Sequence, residues 1–246
     1  MRIVLFLSLG VFLFGNAQGQ GCSDAGFCTA GSINAGHKID SLLKRELSLG
    51  ISYSKGEQLV NILQVLPQLD WALSRKTMLQ IKLPLQAATG ELGNNMGMGD
   101  PVLSISNQLY STKNIKVFVT GGLKFPLGKT NNTYKTNLSF PMPYQTGLGT
   151  LDGIAGLRIS MNKFTFATGF QGVITQNNMN NFLPLLDSIN AGDYFASNGL
   201  KRGNDFLVRI EKSWSLKNWP GRHLPHKTRR YRTLQRQNRC PLTWQH

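Results

Sequence analysis

Apolar residues recur at every second position through most of the chain between residues 42 and 219, and this period constrains the fold more than any other feature. A period of two places successive side chains on opposite faces of an extended strand. The clearest stretch is LRISMNKFTFATGF, Leu157 to Phe170. Leu157, Ile159 and Met161 share one face, with Arg158, Ser160 and Asn162 on the other. Beyond Asn162-Lys163, Phe164 and Phe166 resume the apolar set, opposite Thr165, Ala167 and Gly169. A two-residue turn pairs Met161 with Phe164, Ile159 with Phe166 and Arg158 with Ala167, so that apolar meets apolar across the ladder. The pattern predicts a hairpin with one apolar face and leaves open whether that face meets a protein core or lipid.

The same test along the chain predicts about eight strands. LSLGISYS sets Leu47, Leu49, Ile51 and Tyr53 against serines and Gly50. LDWALSRKTMLQIKLPL predicts a second hairpin pairing Leu73 with Leu79, Trp71 with Ile81 and Leu69 with Leu83, which puts Asp70 opposite Lys82. LSISNQLYSTKNIKVFVTGGL predicts a third, with Leu109 on Ile115, Asn107 on Val117 and Ile105 on Val119. FLVRIEKSWSL places Phe206, Val208, Ile210, Trp214 and Leu216 on one face; Lys212 interrupts it and belongs near an interface. Tight turns at Arg75–Thr77, Ser111–Lys113 and Asn162-Lys163 alternate with three long polar segments: AATGELGNNMGMGDP, GKTNNTYKTNLSFPMPYQTGLGT and QNNMNNFLPLLDSINAGDYFASNGLKRGN. Every long loop then emerges on one side and every tight turn on the other, the pattern of outer-membrane barrels.

A soluble β-sandwich gives the same alternation. Three features favour an antiparallel up-and-down transmembrane β-barrel within this all-β class. The apolar sets hold large residues such as Trp71, Phe164, Phe166 and Trp214; the polar sets are rich in Gly, Ser, Thr and Gln; and the strands reach roughly nine to eleven residues. Past the N-terminal segment no apolar run approaches the length of a spanning helix, so a membrane form must be a closed barrel. The beginning, MRIVLFLSLGVFLFGNAQ, has Arg2, an apolar run and small residues before a cleavage point after Ala17, which predicts a signal peptide over 1–17. A buried helix, a membrane anchor or a lipoprotein signal ending at Cys22 are the alternatives. Residues 18–41 then form an N-terminal periplasmic segment. Its Cys22 and Cys28 suit a disulfide in an oxidising compartment, with two free thiols as the alternative. No histidine stands at zinc-ligand spacing from them.

The net charge of +15 resembles that of nucleic-acid binders, but its distribution argues otherwise. Residues 218–246 hold seven Lys/Arg and no acid, leaving twenty Lys/Arg against twelve acids, a net +8, in residues 1–217. Half of the excess thus sits in one terminal tail of an exported chain, and nucleic acid is not an expected partner. At Trp219 the alternation stops, and Pro220, Pro225 and Pro241 oppose ladder pairing. Strands are expected over 42–219, and 220–246 reads as a basic, non-barrel tail, produced by a shifted frame or a truncation of a larger barrel. A genuine solvated or lipid-bound tail is the alternative.

Catalytic signals are sparse, and no enzyme activity or cofactor is expected. Only His37 lies before the tail, and no nucleophile–base pair can be built on the strands. GGLKFPLGKT has five residues between Gly122 and Gly128 where a phosphate loop needs four, and GMGDP reads as a turn. What remains is the lumen. Lys82, Lys116, Lys124, Arg158 and Arg209 are expected to point inward with Glu46, Asp70 and Glu211, either tuning permeant selectivity or forming structural pairs such as Asp70–Lys82.

GMGDPVLSISNQL, VTGGLKFPLG and GTLDGIAGLRISMNKFTFATGFQ together resemble the exported outer-membrane barrels grouped as phenol-degradation meta-pathway proteins, over roughly Leu42 to Leu216. The resemblance implies a β-barrel channel or transporter for small, hydrophobic or aromatic molecules, in barrels of ten to twelve strands. The expected location is the outer membrane of a Gram-negative bacterium, with membrane lipid and the barrel-assembly machinery as partners. A structural or surface-interaction barrel and a soluble exported sandwich that binds a ligand are the rival readings.

Overall fold

The computed structural model describes residues 45–135, 138–184 and 194–212, together with the backbone of 234–237. The signal peptide, Cys22, Cys28, His37, Trp214, Leu216 and most of the basic tail lie outside these residues. The strands are β1 (Arg45–Lys55), β2 (Asn61–Ala72), β3 (Thr77–Lys82), β4 (Leu85–Gly90), β5 (Gly93–Met98), β6 (Val102–Ser111) and β7 (Ile115–Lys124). They continue with β8 (Thr133–Lys135), β9 (Leu138–Ser139), β10 (Thr150–Met161), β11 (Phe164–Gln176), β12 (Asp205–Lys212) and β13 (Leu234–Gln237). Eleven of them form one sheet, and β8 and β9 pair separately. The fold is all-β and antiparallel. Among the described residues no helix is long and apolar enough to cross a membrane.

The count of eleven conceals a simpler path. β2 pairs with β1 along its whole length on one edge, while its other edge is shared between β3, at Gln68–Ala72, and β4, at Asn61–Val65. β6 and β5 extend the same division, pairing with β3 and β4 respectively. β3–β4 and β5–β6 are therefore two long strands, each broken near a proline that can donate no ladder bond. The ladder persists across the breaks through Leu83 N–H to the Pro67 carbonyl (3.0 Å), Gly99 N–H to Pro84 (2.8 Å) and Phe125 N–H to Pro101 (2.9 Å). Counted by path, nine strands follow one another in chain order and curl into a half-barrel. This exceeds the expected eight, and four residues of the basic tail supply the last, β13, on the edge of β12.

The polar segment AATGELGNNMGMGDP, expected as a long loop, is mostly strand: β4, the turn at Glu91-Leu92, and β5. Its Ala, Gly and Asn side chains are too small or too polar to register as alternation, and Gly93 takes φ +125° as the chain reverses. The other connections up to β12 sort as expected. Leu73–Lys76, Thr112–Asn114 and Asn162-Lys163 are short and share one end, while 125–149 and 177–204 are long and share the other with Gly56–Val60.

The β10–β11 register is the one read from sequence, Met161 on Phe164 and Arg158 on Ala167, with Asn162 at φ 51° in the turn. Two other hairpins differ by two residues. Trp71 pairs with Leu79 and Asp70 with Gln80, so Asp70 is not opposite Lys82. The cause is Ser74, whose hydroxyl accepts the Lys76 and Thr77 amides at 3.2 and 3.0 Å and ends β2 early. In β6–β7, Asn107 pairs with Val119, and Thr112 binds back to Ile115 through its hydroxyl. A bulge there passes Leu109, so that Leu109 and Tyr110 are both exposed. A two-residue slip preserves parity, so side chains stay on their expected faces except past the β6 bulge, where Tyr110 pairs with Val117 and turns to the outer face.

Burial on those faces is inverted relative to a water-soluble sheet. The apolar set is exposed, reaching 79 % at Leu47 and 81 % at Met96, and includes Ile105, Phe166 and Ile210. The polar set is buried on the concave side, including Gln64, Asp70, Gln80, Ser104, Thr120 and Gln171.

Candidate functional site

Tilted strands make rows of paired residues climb around a curled sheet, so the side chains that face each other across its hollow are not cross-strand partners. This brings Lys82 on β3 within electrostatic reach of Arg209 on β12, five strand pairings away. On the Lys82 side, Asp70 accepts hydrogen bonds from the Gln80 amide at 2.5 Å and the Gln68 amide at 2.7 Å. On the other side Arg209 is ion-paired with Glu211, which also acts on Arg158. The Arg158 guanidinium lies 4.0 Å from the Phe118 ring centroid. Lys82, Arg158 and Glu211 are buried, as parity predicts. Lys116 has the same parity but sits at the tight-turn rim, where it is exposed. Lys212 is also at this rim, its ammonium 5.2 Å from the Phe164 ring centroid.

Closer to the long loops lies a second charged group. Lys124 is 2.8 Å from Asp152 and 3.8 Å from Asp100, and Arg202 bridges Asp152 and Asp205. A register irregularity between Leu151 and Asp152 accompanies the placement of Asp152, whose carboxylate also accepts from Gln171. Asp100 reaches from the break between β5 and β6 to accept the backbone N–H of Gly128 (2.9 Å) and of Leu148 (3.1 Å). The first long loop is thereby tied to the concave face, and Arg202 ties the second. Of these residues the sequence reading had singled out Lys124 alone.

The first loop does not extend outward. Every residue from Phe140 to Thr150 except Met142 is buried, and this strap packs against the concave side of β4 and β5. Gln145 holds it in shape, its amide donating to Phe140 and Asn132 and its side-chain oxygen accepting from Asn132. β4 and β5 hold it in place: Gln86 donates to the Gln145 carbonyl and Asn95 to the Tyr144 carbonyl at 2.6 Å. Gly128 and Gly147 touch backbone to backbone, so a Cβ on Gly147 would lie 2.6 Å from the Gly128 carbonyl. Asn180 in the second loop donates to Thr130 and Phe140 of the first and accepts from Ser197.

Beneath the strap is an apolar core of Val60, Ile62, Ala88, Leu92, Phe140 and Tyr144, joined by Phe182 and Tyr194 from the second loop. Phe140 stacks on Tyr144 at 4.6 Å between centroids. The Tyr144 hydroxyl accepts from the Leu92 amide at 3.3 Å and meets that of Tyr194 at 3.5 Å. Burial pushes the Tyr194 hydroxyl well above the ordinary tyrosine range, helped by its bond to Tyr144. Glu57, at the β1–β2 turn, accepts the Phe195 amide at 2.5 Å; burial raises its carboxyl above the ordinary value, against the lowering effect of that bond.

The hollow is therefore lined by two charged groups and narrowed at the long-loop end by an aromatic-backed strap on β4 and β5. Among the described residues no group of three or more His, Cys, Asp or Glu could hold a metal. Sequence reading missed Asp100, Asp152, Arg202 and Tyr144, since each belongs to a loop, a break or an irregular strand end. GMGDP did mark the position of Asp100, although it read only as a turn. No protein-family model matches the chain, and no curated protein matches it.

Proposed function

We propose that the chain is an outer-membrane β-barrel protein of a Gram-negative bacterium that passes small molecules along its polar hollow without a cofactor or energy source. The observation that carries this reading is the inverted burial, apolar outside and polar within. Such a surface is stable where its surroundings are apolar, whereas a soluble sandwich would pack the large apolar set away from solvent. Closure of the half-barrel, export by the signal sequence, folding by the barrel-assembly machinery and kinship with the phenol-degradation meta-pathway barrels belong to the same proposal. Liposomes reconstituted with the protein should leak small solutes, and the protein should partition with outer membranes. A protein recovered in the soluble periplasmic fraction would defeat the proposal.

One observation favours a second reading, a barrel that does not conduct. The strap from Phe140 to Thr150 is folded inward on a packed aromatic core against β4 and β5, occupying part of the long-loop end of the hollow. Liposomes that remain tight while holding folded protein would support this reading, leaving the long loops as the working surface.

A further inference from the structure

The open sheet leaves β1 without a ladder on one edge. β1 pairs with β2 alone, and Leu47, Leu49 and Ile51 are exposed on its outer face. Its concave face is exposed as well, at Gly50 and Ser52, whereas Gln64 and Asp70 beside it on β2 are buried. On the membrane reading, this edge sets backbone N–H and C=O groups in an apolar surrounding that cannot satisfy them. At the opposite end of the sheet, β13 covers only Leu207–Ile210 of β12.

The registers show which strand fits the β1 edge. Followed from pair to pair, the rung that begins at Arg45 passes through Leu79 and Gly121 and ends at Phe206. It starts at the tight-turn end of β1 and finishes at the long-loop end of β12, so it climbs the length of a strand. Setting Phe206 beside Lys55, at the long-loop end of β1, closes the sheet with an offset of ten residues, Arg45 to Lys55. Of the nine strands counted by path, eight remain without β13, and β12 then runs antiparallel to β1. At a rise of about 3.3 Å per residue and about 4.7 Å between strands, that offset tilts eight strands by about 41°. Closed barrels tilt by roughly 35–45°. The same register joins Ile51 to Ile210 and Tyr53 to Val208 on the outer face, and Ser52 to Arg209 and Gly50 to Glu211 on the concave face. Apolar meets apolar, and small residues face long charged ones.

We infer that β12 of the same chain is the partner of β1, closing an eight-stranded barrel in the register Ile51 on Ile210, with β13 displaced from the β12 edge. The inference rests on the membrane barrel proposed above and names the strand that closes it. β13 stands opposite the four residues that this register gives to Ile51–Ser54 of β1, so the two compete for one edge. β13 sets Arg236 at the register position opposite Val208, where β1 sets Tyr53. On an outer face that meets lipid, arginine is the costlier residue. A second copy's β12 would fit the same register in a barrel of twice the circumference, but a barrel that wide keeps a wet lining. Gln80, Lys82, Lys124 and Gln171 on the concave face are each 1 % exposed, as suits an interior that its own side chains fill.

The test is disulfide trapping in the full chain, with Cys22, Cys28 and Cys240 replaced by serine and the membrane and soluble fractions oxidised separately. Ile51→Cys with Ile210→Cys should form a disulfide within one chain, at least about tenfold more than Ile51→Cys with Val208→Cys, which is two residues out of register. Tyr53→Cys with Val208→Cys reads the same seam if the first pair does not fold. Leu234→Cys with Ile210→Cys reads the β13 seat and should trap less than the β1 pair. Equal trapping in and out of register would overturn the inference. Disulfides found only between chains would also overturn it and assign the edge to a second copy. So would a β13 pair that traps more than the β1 pair. Protein found in the soluble fraction removes the membrane reading itself, whereas membrane-bound protein without the β1–β12 disulfide removes the seam alone.

Discussion

Replacing Tyr144 with alanine should open the long-loop end of the hollow without unfolding the sheet. The side chain is fully buried, stacked on Phe140, and its hydroxyl accepts the Leu92 amide. Removing a buried aromatic costs about 3–5 kcal/mol. The hydroxyl contributes about 1 kcal/mol of this, since at 3.3 Å the Leu92 bond is long. Tyr144→Phe should therefore cost about 1 kcal/mol and Tyr144→Ala three or more times as much. The strap is held by side chains and loop contacts while the sheet is held by ladders, so the loss falls on local opening. At about 1.4 kcal/mol per factor of ten, strap opening should become roughly a hundredfold or more easier in Tyr144→Ala. Hydrogen exchange at Gln145 and Thr146 reads that factor directly, and solute flux into liposomes should rise with it. Unchanged protection in Tyr144→Ala, or an equal effect from Tyr144→Phe, would refute the view that aromatic packing holds the strap.

Three further outcomes are expected. Asp100→Ala should free the Gly128 and Leu148 amides at a cost of about 3 kcal/mol, seen as faster exchange at both, while Asp100→Asn should cost less because an acceptor oxygen remains. Gly147→Ala places a Cβ against the Gly128 backbone, which cannot rotate away, and should cost about 1–3 kcal/mol and expose the strap to limited proteolysis. Glu57 gives a pH dependence with a definite sign: because its folded-state carboxyl is raised, its contribution to docking Phe195 is complete below the ordinary glutamate value of 4.5 and is lost as pH rises through the raised one. Exchange at Phe195 should quicken across that window and lose this dependence in Glu57→Gln; slowing with pH would reverse the assignment.

The strands were legible where large apolar residues alternate, and the β10–β11 register was legible because a two-residue turn admits one pairing. Ser74 and Thr112 were not, since a hydroxyl that captures backbone amides moves a turn without changing parity. The β4–β5 hairpin escaped notice because Ala, Gly and Asn carry little amphipathic signal. For the site, parity alone placed Lys82, Lys124, Arg158, Arg209 and Glu211 on the concave face. Which of them meet is a property of strand tilt and curl, to which a period of two is blind. The inward strap was invisible, since its anchors, Asp100 to Leu148 and Gln86 to Gln145, lie 48 and 59 residues apart.

The inside-out burial of the strands also reverses the usual relation between accessibility and tolerance to substitution. In a scan of all single variants, exposed positions ordinarily accept charge and buried ones reject it. On the proposed membrane reading, Leu47, Ile105 and Phe166 should behave as the most restrictive positions toward aspartate or lysine despite their exposure. Buried Ser104, Ser106 and Thr120 should accept other small polar residues readily. A tolerance map of this chain would thus resemble the photographic negative of one from a water-soluble sheet, and a predictor trained on soluble proteins would rank its variants in the wrong order.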